Sequence, residues 1–389
     1  MRDRRAQGGG ALADPQGSVA FTRRGGCEGH RAMKYKPNLP ESAERMRRFW
    51  YLEEPLDRVP CKVMLPEPPF EGMMLDGTFF GNLEGYLAWR EEWSRRQSQV
   101  PDDWLPIVNP QYGHALISAL CGSPIRGAAR TVWSVPIITA WEQLDTLRLD
   151  FDSEYGRRFR ADYEFLLEWA HGKCGVAHYE VEGVADTMSA LRGAERLCFD
   201  YVEAPEQVHR FAARVAEMLA EFAFWCQANV DARQDVGGGV ATYYGLWGVP
   251  GMIETAEDAT VMIAPETYRE FIQGPQRRLT SQFSRALLEV HPEGNHQLPA
   301  FAEVEGVTAL ACQNPLDMEP HYQEVALSLR GRKAFYTGGS PDELEATLAL
   351  LGTRGVFLGT QVDTVEEARA LLRDLEKWTA KYRREEENA

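Results

Sequence analysis

The chain has 389 residues, 44% hydrophobic and 11% aromatic, with 58 acidic side chains against 42 basic ones and a net charge of −16. Such a chain can bury a large core, which excludes disorder over most of its length, and its negative charge repels phosphate backbones, which excludes general nucleic-acid binding. No apolar run approaches the roughly 18 residues that span a bilayer, and the seven scattered cysteines (27, 61, 121, 174, 198, 226 and 312) contain no CxxC. A cytoplasmic protein with neither a disulfide framework nor a thiolate zinc cluster is expected.

Residues 1–33 are rich in Gly and Arg without apolar periodicity and are expected to be a disordered extension, with Met33 as an alternative start. The pairs Arg4-Arg5 and Arg23-Arg24 lack the apolar stretch of an export signal. Residues 34–389 are expected to form one domain. Its strand candidates, in order, are Cys61–Leu65, Val132–Val135, Val176–Val181, Val240–Tyr244, Leu287–His291, Val307–Cys312, Lys333–Tyr336 and Gly355–Leu358.

Helices fall between them. Val208, Phe211, Val215, Met218, Leu219 and Phe222 keep helical spacing after Pro205, and Pro265 opens another helix. Ser340-Pro341-Asp342-Glu343 and Thr364-Val365-Glu366-Glu367 are capping boxes. Strands separated mainly by helices predict an α/β fold, a (β/α)8 TIM barrel, with a doubly wound sheet as the alternative.

A barrel of this kind carries its chemistry on the loops after the strands. The fifth candidate runs into His291-Pro292-Glu293-Gly294-Asn295-His296. Residues i and i+2 of an extended chain share a face, so His291 and Glu293 are candidate catalytic residues that share a proton or hold a metal. The bland alternative is a buried histidine at a strand end. Gln313 and Asn314, after the sixth candidate, could orient a polar substrate, or simply form a turn with Pro315. Tyr244 and Trp247 could stack on a substrate or pack in the core, and Asp186 could line the site or cap the next helix.

Gly338-Gly339-Ser340 stands where many barrels bind phosphate, but Asp342 and Glu343 in the following turn would repel an anion. Gly237-Gly238-Gly239 does not complete GxGxxG, and there is no GxxxxGK[ST], GxSxG or HExxH. No nucleotide cofactor is expected.

Several ordered stretches carry a family likeness: Asp57-Arg58-Val59-Pro60, Ala185-Asp186-Thr187-Met188-Ser189-Ala190-Leu191-Arg192-Gly193, and Ala204-Pro205-Glu206-Gln207-Val208. Then come Glu257-Asp258, Ala264-Pro265-Glu266-Thr267-Tyr268-Arg269-Glu270-Phe271, His291-x-x-Gly294-Asn295, and Gly355 to Gly359 leading to Thr364. Together they span most of residues 57–380, and the chain resembles the uroporphyrinogen decarboxylase superfamily, which includes cobalamin- and coenzyme M-linked methyltransferases. The resemblance implies a (β/α)8 barrel.

Decarboxylases of the family carry an arginine-rich segment after the first strand, whereas Met64-Leu65-Pro66-Glu67-Pro68-Pro69-Phe70-Glu71 has two glutamates and no arginine. The family's methyltransferases bind zinc through His-x-Cys and a later cysteine. Here the histidine is His291, the cysteine position holds Glu293, and the last strand leads to Gln361 and Asp363. The resemblance thus implies a His/Glu site for zinc or another divalent ion, with Gln361 beside the substrate, and puts coenzyme M in doubt. The leading expectation is methyl transfer from a small methylated compound to a corrinoid (cobalamin) on a partner protein. The alternatives are a metal-free decarboxylase of an electron-rich acid and a barrel that binds a ligand or corrinoid protein without catalysis.

Overall fold

The computed structural model describes residues 33–68, 83–110, 112–128 and 131–388. Apart from Met33, the expected extension lies outside the described residues, as do Pro69, Phe70 and Glu71 of the segment after the first strand. Met33 is buried and bridges to Lys36.

Eight short segments make the parallel array: β1 (Cys61–Met64), β2 (Ile107–Val108), β3 (Gly175–Val176), β4 (Ile253–Thr255), β5 (Ala286–Val290), β6 (Ala309–Cys312), β7 (Ala334–Gly338) and β8 (Val356–Gln361). Six of them form one sheet in the order β1-β8-β7-β6-β5-β4, every pairing parallel. β2 and β3 pair parallel with each other. At one sheet edge Val181, just beyond β3, bridges to Thr255 of β4. At the other edge the Asp103 amide donates to the Cys61 carbonyl at 2.7 Å. The result is a mixed α/β, barrel-like fold.

Two expected strands stand elsewhere. Thr131–Ser134 pairs antiparallel with Ile125–Ala128, and Val240–Ala241 pairs antiparallel with Trp247–Gly248. The second and fourth places in the parallel array belong instead to β2 and β4. Branched and aromatic residues favour a strand but do not choose its partner, and a two- or three-residue strand such as β2 leaves little alternation to read.

The strands alternate cleanly. Ala286, Leu288, Val290, Leu310, Phe335, Val356 and Leu358 belong to the core shared with the surrounding helices, among them Pro205–Asn229 and Val365–Glu387. Leu287, Ala309, Ala311, Ala334 and Phe357 face the other way, into a second core with Leu39, Ala43, Met46, Phe49 and Trp50 of the helix Leu39–Trp50. That helix was not among the expected elements, although these five positions are its helical stripe. Trp50 Nε1 donates to the Trp247 carbonyl at 2.8 Å, fixing the helix beneath the strands. The inward face is thus filled with apolar groups at its lower end and becomes polar towards the strands' carboxyl ends. The capping box at Thr364/Glu367 forms in both directions, and at Ser340 the Glu343 carboxylate accepts from the Ser340 amide and hydroxyl.

Candidate functional site

Side-chain parity builds the site. Continuing the inward set by two residues brings Glu289 and His291 from β5, Gln313 from beyond β6, Tyr336 and Gly338 from β7, Gly359 and Gln361 from β8, and Lys62 and Met64 from β1 to one cavity. It measures about 480 Å3. Gly338 and Gly359 lie side by side in the β7/β8 register, and a Cβ on Gly338 would collide with the Gly359 carbonyl. The cavity owes part of its space to this pair.

Tyr244 joins two carboxyl groups. Its hydroxyl lies 2.7 Å from Glu180 Oε1 and makes a short hydrogen bond with Glu289 Oε2. A phenol has one hydrogen and here meets two carboxyl groups, so one carboxyl must supply a proton of its own. Glu180 is the group suited to it: burial, with the charges of Glu289, Glu254 and Asp258, pushes its carboxyl up to about 8 despite the bond to Tyr244. Glu180-OH then donates to Tyr244, and Tyr244 donates to Glu289.

Two further buried groups hold this arrangement. Glu254, on the inward face of β4, accepts the Tyr243 amide, and burial raises its carboxyl to about 7. Lys62 Nζ donates to the Tyr244 carbonyl at 3.3 Å, and burial lowers its ammonium to about 8. Behind them His178 Nδ1 faces Asp231 Oδ2 at 3.4 Å, both side chains nearly inaccessible. Burial opposes a charged His178, but the Asp231 charge and hydrogen bond outweigh it and raise its pKa.

His291 Nε2 lies 3.6 Å from Asp258 Oδ2 and 4.0 Å from Glu289 Oε1. Its neighbours are therefore two carboxylates other than Glu293. After Pro292 the chain turns into a 3-10 helix, Pro292–Gln297, so the strand spacing that would align Glu293 with His291 ends there. The carboxylate sharing the histidine's face is two residues before it, not two after. Glu293 is exposed on a second cavity of about 330 Å3, where it joins His291, Glu289, Val261 and Phe301. His291 and Glu289 form the wall common to both cavities.

The other expected residues divide. Gln313 and Gln361 line the first cavity, Gln313 being fixed by a 2.7 Å bond from Asn295 Nδ2. Asn314 is buried and caps the turn Pro315–Asp317, accepting from the Leu316 amide at 3.1 Å and the Thr347 hydroxyl at 3.2 Å. Trp247 packs in the inner core, its indole N–H donated to the Val236 carbonyl at 2.8 Å. Asp186 accepts the amides of Gly183 (3.2 Å), Asp258 (3.2 Å) and Ala259 (2.5 Å). Reciprocally, Glu257 accepts the Val184 and Ala185 amides, each at 2.9 Å, at the start of the helix Val184–Arg192. Asp186→Ala leaves three amides without their acceptor and should lower stability by about 1–3 kcal/mol, read as a shift of the urea midpoint. An unchanged midpoint would show that Asp186 only lines the site.

Sequence reading passed over Lys62, Glu180, Glu254, Asp258 and Glu289. Their signal is two-residue spacing along or just past the expected strands, as in His178, Glu180 and Glu182, and in Glu289 and His291. Among the described residues, no three His, Cys, Asp or Glu side chains are arranged to hold a metal ion. The donor set expected at His291 and Glu293 does not converge.

No protein-family model matches the chain, and no curated protein matches it significantly. Among solved structures, a methyltransferase from Methanosarcina mazei is similar over 89% of this chain and 99% of that one, with a TM-score of 0.54 at 14% sequence identity. At that identity the likeness establishes a shared fold. No helix among the described residues is long and apolar enough to cross a membrane.

Proposed function

We propose that this protein is an enzyme of the uroporphyrinogen decarboxylase kind, built on a (β/α)8 barrel, that transfers a methyl group from a small methylated compound to a corrinoid on a partner protein. The observation that carries this reading is the Glu180–Tyr244–Glu289 relay at the strand ends of a fold similar to that of a protein named a methyltransferase. A methyl group on oxygen or nitrogen leaves readily only when the atom left behind is stabilised, which is the work of a general acid.

In this reading the bond from the methyl carbon to its oxygen or nitrogen breaks, and both electrons stay with the leaving atom. A proton passes from Glu180 through Tyr244 to Glu289, and Glu289 gives it up to that atom, leaving Glu180 as the carboxylate. The corrinoid is a second substrate, whose reduced cobalt supplies the electron pair for the new bond to carbon. His291 lies beside Glu289 and orients the leaving group, while Gln313 and Gln361 offer amides to the rest of the substrate. Decarboxylation of a polycarboxylated ring is less well served: Lys62 is the one Lys or Arg among the described residues lining these two cavities, set against Glu257, Asp258, Glu289 and Glu293.

The direct test supplies cob(I)alamin with methanol, a methoxybenzoate or trimethylamine and follows methylcobalamin by absorbance. Decarboxylation of a pyrrole carboxylic acid, with no methyl transfer from any of these donors, would overturn the reading. His291→Ala and Glu289→Gln should each cost about 100-fold or more in rate. His291 is half-exposed, so its removal should change stability by no more than about 0.5 kcal/mol. Glu293→Gln should retain activity, and a loss equal to that of Glu289→Gln would restore it as the partner of His291.

A further inference from the structure

A third cavity, of about 440 Å3, lies on the other side of Glu180, between the hairpin strand Thr131–Ser134 and the helix Val184–Arg192. Four carboxyl groups line it, those of Glu180, Glu182, Asp186 and Asp258, together with His114 and Trp133. No Lys or Arg stands on its walls among the described residues.

Glu182 points to what the cavity takes. It is 4% exposed, and its Oε1 has no hydrogen-bond partner among the described residues. Leaving a buried carboxyl oxygen unmatched is costly unless a ligand completes it. An anion would meet four carboxyl groups and no cationic side chain to pair with, and a neutral apolar ligand would leave Glu182 as it is. Trp133 lines the cavity and is 47% exposed, and an indole ring attracts cations. The carboxyl groups surround the space without converging into a metal-binding set.

We propose that this cavity binds the ammonium group of a small organic cation, a methylated amine being the form the proposed methyl transfer would use. Only the methylated part rests on that proposed function. Burial and the neighbouring carboxyl groups raise Glu182 well above the ordinary carboxyl range, and a bound cation relieves that repulsion.

Calorimetric titration of the purified protein, without corrinoid or turnover, provides the test. Choline is compared with 3,3-dimethylbutan-1-ol, its uncharged carbon counterpart, in the wild type, Glu182→Gln and Trp133→Ala. Choline should bind at least about tenfold more tightly than the alcohol, and each substitution should weaken choline about three- to tenfold. Equal affinity for the two compounds, or choline affinity unchanged in both variants, overturns the proposal. Trp133 is at the surface, so that variant keeps the test open if Glu182→Gln fails to fold. Choline binding with no methyl transfer to cob(I)alamin from choline or from any of the donors above would sink the proposed function alone, and methyl transfer by a protein indifferent to choline would sink the cation site alone.

Discussion

Tyr244→Phe is expected to lower the methyl-transfer rate by about 10²–10⁴-fold while keeping the fold, because it removes one oxygen and with it the link between Glu180 and Glu289. The stability cost should be about 1–3 kcal/mol, since Glu180 loses its partner in a buried place. The pH profile separates a relay from mere packing. Glu180 must carry its proton to act, so wild-type activity should fall as the pH rises through about 8. In Tyr244→Phe that limb should vanish, since the residual rate no longer draws on Glu180. Full activity in the variant, or an unchanged pH profile at reduced rate, would mean that Tyr244 only shapes the wall.

The largest loss of stability should come from Asp103→Ala, at about 3–5 kcal/mol. Asp103 is fully buried, makes a short ion pair with Arg58, meets Arg45 Nη1 at 3.2 Å and accepts the Cys61 amide at 2.9 Å. Its neighbour Asp102 accepts the Val63 amide at 2.9 Å and faces Lys36 Nζ at 3.5 Å. At this edge of β1, two side chains thus do the work of a neighbouring strand. Removing Asp103 strands Arg58, leaves Arg45 with Asp57 alone, and opens that edge.

The exposed pair Arg47–Glu53, at 2.7 Å, is the control. Glu53→Gln should cost no more than about 1 kcal/mol. Burial alone would raise the Asp103 carboxyl, but Arg58, Arg45, Lys36 and the Cys61 amide outweigh it and hold its pKa below 3.8. Its contribution is therefore complete above that ordinary value and is lost as the pH falls through the lower folded one. A urea midpoint that moves as little in Asp103→Ala as in Glu53→Gln would refute the assignment.

Much of the scaffold was legible in the chain. Cys61, Leu287, Leu310, Phe335 and Phe357 lie in apolar runs bounded by turn residues, and the structure has strands there. The caps at Ser340 and Thr364 were readable because a capping box is a local exchange of hydrogen bonds within four residues. The hairpin at Thr131–Ser134 was read as a strand but given the wrong neighbour, because pairing depends on a segment elsewhere in the chain. The site was legible only in part. His291, Gln313, Gln361 and Tyr244 were singled out and reach the first cavity or the relay. Asn314 and Asp186 spend their oxygens on backbone amides, and Trp247 spends its N–H on the Val236 carbonyl.

What the sequence determined by itself was local: where the chain extends, where helices start, which faces are apolar, and that His291 stands at a strand's carboxyl end, directly after Val290. The tertiary structure decided which polar groups meet. Glu180, Tyr244 and Glu289 are separated by 64 and 45 residues along the chain, so no spacing rule connects them. They come together because Glu289 points inward from β5, Glu180 follows β3 and Tyr244 lies in the turn between Val240–Ala241 and Trp247–Gly248, all at one end of an interior that apolar packing around Trp50 and Phe357 closes at the other. Burial then shifts a carboxyl whose residue type alone would mark it as a solvated charge, and that retained proton is what the proposed relay uses.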